Sequence, residues 1–189
     1  MELRPEQGGR GRGVAAVIEG FFGAMWFGWA TSDAPGWLLP VLIAGSVAGL
    51  AVVVLGVVLA KRSPAGSSPM ADPAVRKRYN IIVAIEFGLI FAGAAVLGQV
   101  AEDYIAAWIA LIVGLHFVPL GRVFAQRLLE VAGWVITAAA IVAGVVALTT
   151  DADTSTVAGV GAGTTLVVTG VLTVLGVRVF ADRQPVTGS

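Results

Sequence analysis

The amino-acid sequence predicts an all-α, polytopic membrane protein whose six transmembrane helices form three antiparallel hairpins. Three observations carry that reading. Only 13% of the 189 residues are charged and 57% are hydrophobic, whereas an average soluble domain is about 25% charged, so polar side chains cannot cover a water-facing surface. Six stretches approach or exceed the roughly 20 apolar residues that a helix needs to cross a hydrocarbon core about 30 Å thick. Finally, all 12 lysines and arginines fall on one side of the arrangement those six stretches define.

Residues 14–30 form the first predicted span, entered after Arg4, Arg10 and Arg12 and closed by the polar turn Thr31-Ser32-Asp33-Ala34-Pro35-Gly36. A secretory-signal reading of residues 1–30 conflicts with Glu19 inside the apolar stretch, and cleavage would leave an odd number of spans. The second span, 37–60, runs into a connection, 61–78, that contains Ser63-Pro64-Ala65-Gly66-Ser67-Ser68-Pro69 and five basic residues. That composition reads as a flexible linker. Spans three and four, 79–99 and 104–120, are joined by Val100-Ala101-Glu102-Asp103. Spans five and six, 128–148 and 156–179, are joined by a turn holding Asp151 and Asp153. Turns this short make successive helices antiparallel neighbours. The resulting organisation is a tail (1–13), a first hairpin (14–60), the basic linker (61–78), the second and third hairpins (79–183) and a C-terminal tail (184–189).

The basic residues lie in the tails and in the second and fourth connections, and the other three connections hold only acids. The positive-inside rule then predicts both termini in the cytoplasm, with the chain in the plasma membrane, for a bacterium the inner membrane. Trp26, Trp29, Trp37, Tyr104 and Trp108 fall near the outer boundary and Tyr79, Phe124, Trp134 and Phe180 near the inner one, the depth amphipathic rings favour. Two hairpin ends resemble each other, Leu120-Gly121-Arg122-Val123-Phe124-Ala125-Gln126-Arg127 and Gly176-Val177-Arg178-Val179-Phe180-Ala181-Asp182-Arg183, which reads either as a duplication or as two inner helix ends of similar chemistry. Small residues four apart, Gly45/Gly49, Ala94/Gly98, Ala140/Gly144 and Gly159/Gly163, let helix backbones approach within one chain or between copies in a homo-oligomer.

Several chemistries are excluded or disfavoured. There are no cysteines and one histidine, which removes disulfides, thiolate sites and most catalytic triads. Neither Glu-x-x-His nor His-x-x-x-His occurs, so no metal site is expected. The run Gly159-Val160-Gly161-Ala162-Gly163 lies in an apolar span without the lysine of a phosphate loop. No catalytic residue, cofactor or nucleic-acid partner is expected, and the protein does not read as an enzyme.

Ionisable groups within spans are the functional candidates, because each costs about 2.5–3.5 kcal/mol to insert at a helix centre. Counting from the nearest basic residue at 1.5 Å per residue places Glu19, Glu86, His116 and Glu130 about 10, 12, 9 and 5 Å inside the inner boundary. Glu86 and His116 thus share a depth on the two helices of one hairpin, near enough for a carboxylate–imidazole contact that could relay a proton if their faces match. Pro119, three residues beyond His116, withholds a donor from the Leu115 carbonyl and predicts a polar notch there. Glu19, Glu86, His116 and Pro119 are therefore the candidate ligand-binding or proton-relay residues, with Gly88 and Gly114 as candidate cavity-lining positions. Glu130 reads as an interfacial acid paired with Arg127. Arg76, Lys77, Arg78 and Arg122 are candidate contacts for anionic headgroups.

The segments Ile85-Glu86-Phe87-Gly88 and Gly114-Leu115-His116-Phe117-Val118-Pro119 resemble a pattern of small uncharacterised actinobacterial membrane proteins, a resemblance that implies no activity. The six-span layout, with Trp37-Leu38-Leu39-Pro40 opening the second span and Gly114-Leu115-His116-Phe117 near the end of the fourth, also resembles Insig-type membrane proteins. That likeness implies a sterol or diacylglycerol-like lipid held in a cavity among the helices, without catalysis. Membrane lipid is accordingly the expected partner and lipid or small hydrophobic ligand binding the leading function. A proton-coupled transporter or channel using Glu86 and His116 is the first alternative, and a structural or partner-stabilising membrane subunit the second.

Overall fold

A computed structural model describes residues 9–64, 70, 72–150 and 152–177. They form α1 (Gly9–Ala30), α2 (Leu39–Arg62), α3 (Pro73–Val100), α4 (Ile105–Val123), α5 (Arg127–Thr149) and α6 (Thr154–Leu175), with a 3₁₀ turn at Glu102–Tyr104 leading into α4 and no strand among the described residues. All six helices are long and apolar enough to cross a membrane, the architecture of a multi-pass membrane protein.

Local chemistry sets helix ends that hydropathy alone misplaces. Helix α3 starts at Pro73, six residues before the predicted span, because Asp72 holds an extended backbone and its carboxylate accepts the Ala74 N–H at 2.8 Å, with proline at the first helical position. Arg76, Lys77 and Arg78 therefore stand on a helix. Helix α6 stops at Leu175, short of the predicted 179, because Gly176 takes the left-handed conformation (φ 70°) and the Gly176 and Val177 N–H groups close on the Thr173 and Leu172 carbonyls. Most of the second copy of the repeated hairpin end, from Arg178 onward, lies outside the described residues.

Packing runs in the order α2, α1, α6, α5, α4, α3. Helix α1 contacts α2 and α6; α6 also meets α5, α2 and α4; α4 meets α5 and α3. Each predicted hairpin pair is in contact, and α4 additionally packs along α5. Glycines bring main chains together at the α1–α2, α4–α5 and α1–α6 interfaces. A Cβ on Gly20 would stand 2.6 Å from the Gly49 carbonyl oxygen, and one on Gly114 would stand 2.6 Å from the Thr137 nitrogen, so only glycine permits these approaches. Gly45 and Gly163 seat the ring of Phe27, and Gly159 abuts Trp26 and Ala30, so these small residues of α2 and α6 serve packing within the chain.

The central core consists of Trp26, Ile136, Leu166 and seven alanines drawn from α1, α4, α5 and α6. Helix α3 contributes nothing to it: no residue of α3 is buried, and among the described residues it touches only α4 and the 3₁₀ turn. Antiparallel connectivity puts Arg10, Arg12, Lys61, Arg62, Arg76, Lys77, Arg78, Arg122 and Arg127 at one end of the bundle and Asp33, Glu102, Asp103 and Asp153 at the other. The acidic end is tied together by the hydroxyls of Thr154, donating to the Asp103 carbonyl, and of Thr156, donating to the Ala30 carbonyl.

Candidate functional site

Helix α3 is fastened to α4 by three rungs rather than by apolar burial. Residues spaced by seven on α3 meet residues spaced by eight on α4 and its C-cap, running antiparallel: Tyr79 with the C-cap Phe124, Glu86 with His116, and Gly93 with Trp108. At the rung near the basic end the two rings lie 6.0 Å apart and tilted by 49°. Toward the acidic end the Trp108 indole lies across Gly93, where a Cβ would collide with it, and its Nε1–H donates to the Leu89 carbonyl at 3.0 Å.

The middle rung brings Glu86 Oε1 to 2.9 Å from His116 Nδ1, with both side chains about 11% exposed. The approach is at ion-pair distance, but the ring is not angled to make a hydrogen bond to that oxygen. The edge of Phe117 walls the imidazole, the two rings 4.9 Å apart at 64°. Helix α4 continues through Pro119 to Val123. Proline has no N–H, so the Leu115 carbonyl, one residue before His116, loses its usual main-chain donor. Carboxylate, imidazole and a freed carbonyl thus lie within about one turn of one another. That set can pass a proton between an acid and a base, or hold a polar group at the edge of an apolar ligand.

The other predicted residues lie elsewhere. Glu19 is buried between α1, α2 and α6, beside Val52, Gly170 and Thr173, and α1 has no contact with α3, so the molecule separates Glu19 from the Glu86–His116 pair. Glu130 pairs with the Arg122 Nε at 3.3 Å across the α4–α5 turn; Arg122 is thereby engaged, though 63% exposed. Exposed Arg76 and Lys77, with Pro73, Asn80, Ile81 and Ala84, border a shallow groove of about 400 Å³ along α3. Gly88 faces open space and Gly114 is jammed against α5, so neither lines a cavity as predicted: the first is on the outer face of α3, and the second is used for main-chain contact.

Sequence reasoning missed an apolar crevice of about 330 Å³ on the acidic half of the bundle. Its floor is Ala107, Trp108 and Leu111 of α4, its walls are Leu97 of α3 and Ala140, Ile141 and Gly144 of α5, and Tyr104 stands at its end. It exists because α3 and α5 flank α4 without touching each other. Only Trp108 connects it to the rungs. Single apolar residues spread over three helices carry no linear signal.

Among the described residues no group of three His, Asp or Glu side chains could hold a metal ion. Comparison with protein-family models, curated proteins and solved structures gives no match to this chain, so neither resemblance drawn from its short motifs gains support from a relative.

Proposed function

We propose that this is a non-enzymatic integral membrane protein of the bacterial inner membrane, both termini cytoplasmic, that holds a lipid chain or similar small hydrophobic ligand between α3 and α5. The crevice over Ala107, Trp108 and Leu111 is the observation that carries the reading: it is apolar, of a size suited to part of a lipid chain, and has as one wall a helix with no buried residue. A helix so loosely held can shift to admit or release a chain. Tyr104 supplies a hydroxyl for the polar end of the ligand. Because the crevice lies in the acidic half, Arg76, Lys77, Arg78 and Arg122 act on other lipids, as headgroup contacts in the opposite leaflet.

Native mass spectrometry of gently solubilised protein tests this. Wild type is expected to carry a lipid. Gly144→Phe, at a position with open space around its Cα, fills the crevice without disturbing helix packing and should release the lipid. Equal lipid occupancy in the two proteins refutes the assignment.

A second reading rests on the 2.9 Å approach of Glu86 and His116: proton-coupled transport in which the pair exchanges a proton. It predicts pH-driven flux in proteoliposomes that Glu86→Gln or His116→Ala abolishes. Unchanged flux in both variants eliminates it.

A further inference from the structure

We infer that Glu19 is a proton-binding site, separate from the Glu86–His116 pair, that exchanges with solution at the arginine-bearing end of the bundle. The residue is only 7% exposed, and its Oε2 has no hydrogen-bond partner among the described residues. Among the described residues, the groups around it cannot neutralise a carboxylate. Helix α2 presents Val52, and helix α6 presents Gly170 and the Thr173 hydroxyl. No residue of α6 (Thr154–Leu175) is ionisable, and those of α2 are Lys61 and Arg62, both in its last turn and nine or more residues beyond Val52. On α1 itself the other ionisable residues are Arg10 and Arg12. Arg12 stands seven residues before Glu19, about 10 Å along the axis, and its guanidinium is committed elsewhere, packed on Gly176 at the C-terminus of α6, where a helix dipole favours a cation. Glu19 is in no ion pair among the described residues.

An uncompensated carboxylate in such surroundings is too costly to persist, and taking up a proton is the available remedy. Thr173 fits both states, since its hydroxyl donates to a carboxylate and accepts from a carboxylic acid. The route is set by packing. Toward the acidic end the α1–α6 interface is shut, with Gly23 against Val167, Phe27 against Gly163 and Trp26 against Gly159. Toward the basic end Thr173, Gly176 and Arg12 are all half-buried and lead to the surface. The site is therefore a one-ended pocket for a proton, which reports the pH of the arginine-bearing side rather than conducting across the bundle.

Infrared difference spectroscopy of the full-length protein in lipid tests this. Wild type minus Glu19→Gln at neutral pH should show the carbonyl stretch of one protonated carboxyl. Thr173→Val should move that band without removing it, and alkaline titration should bleach it. If Glu19→Gln fails to fold, Glu19→Asp serves, since it shifts the band while keeping a carboxyl. Absence of the band in wild type overturns the proposal. A band that sodium ions bleach at constant pH overturns the choice of a proton over a metal cation, and one that never titrates while the protein stays folded overturns the exchange with solution.

Discussion

Because α3 buries no residue and among the described residues meets only α4 and the 3₁₀ turn before it, the Glu86–His116 rung should carry a large share of its attachment. For the state in which the imidazole holds a proton and the carboxyl does not, the gross attraction at 2.9 Å and an effective dielectric constant of about 20 is about 6 kcal/mol. Desolvation of each ion removes several kcal/mol of that. Interhelical polar pairs measured in a membrane average about 0.6 kcal/mol and reach about 1.7. Both side chains are about 11% exposed, but the ring makes no hydrogen bond to the carboxylate, so the pair belongs near that average, about 0.6 kcal/mol, which is about a threefold change in an equilibrium constant. The assay is a double-mutant cycle of Glu86→Gln and His116→Ala, read by the reactivity of one thiol placed at Val83, half-buried on α3. The chain has no cysteine of its own, so that thiol is the only signal. Either single substitution should raise the rate about threefold, and the double variant should add little more. Effects that combine additively to within about 0.3 kcal/mol would refute the argument that this contact fastens the helix.

Three other outcomes follow from the same geometry. Gly20→Leu should cost about 1–3 kcal/mol by overpacking, since its Cβ alone meets the Gly49 carbonyl oxygen at 2.6 Å; Gly88→Leu, with open space around it, should leave unfolding in mixed micelles unchanged. Asp72→Ala removes the cap of α3 and should cost about 1 kcal/mol, seen as faster hydrogen exchange of the Arg76–Tyr79 amides with α4 unaffected. A thiol at Asp33 or Glu102 should react with an impermeant maleimide added to intact cells while one at Lys61 does not; the reverse pattern would invert the proposed orientation and place the Glu19 pocket toward the exterior.

What could be read from the linear sequence was whatever depends on solvent. Six spans, their alternating direction and the segregation of Arg10 through Arg127 from Asp33, Glu102, Asp103 and Asp153 all follow from partitioning between lipid and water, which acts residue by residue. The shared depth of Glu86 and His116 was legible for the same reason, since depth is a count along a helix; their facing each other depends on helix rotation, which only packing fixes. Depth alone gave Glu19 a similar level to that pair, yet residues at one level can lie on different sides of a bundle, and the contacts of α1 keep Glu19 apart from α3. The contact of α1 with α6 joins segments at the two ends of the chain, and it is made through Gly159 and Gly163, whose spacing reads the same whether their partner is α1, α5 or a second molecule. The crevice was illegible for a stronger reason. It is the consequence of a contact that α3 does not make with α5, and a gap has no residues of its own. In a lipid solvent the hydrophobic effect cannot close such a gap, so α3 stays where three rungs of polar and aromatic side chains hold it. The space beside Trp108 is then filled either by bulk lipid or by a ligand selected for its shape, and the lipid retained by wild type but lost from Gly144→Phe distinguishes the two.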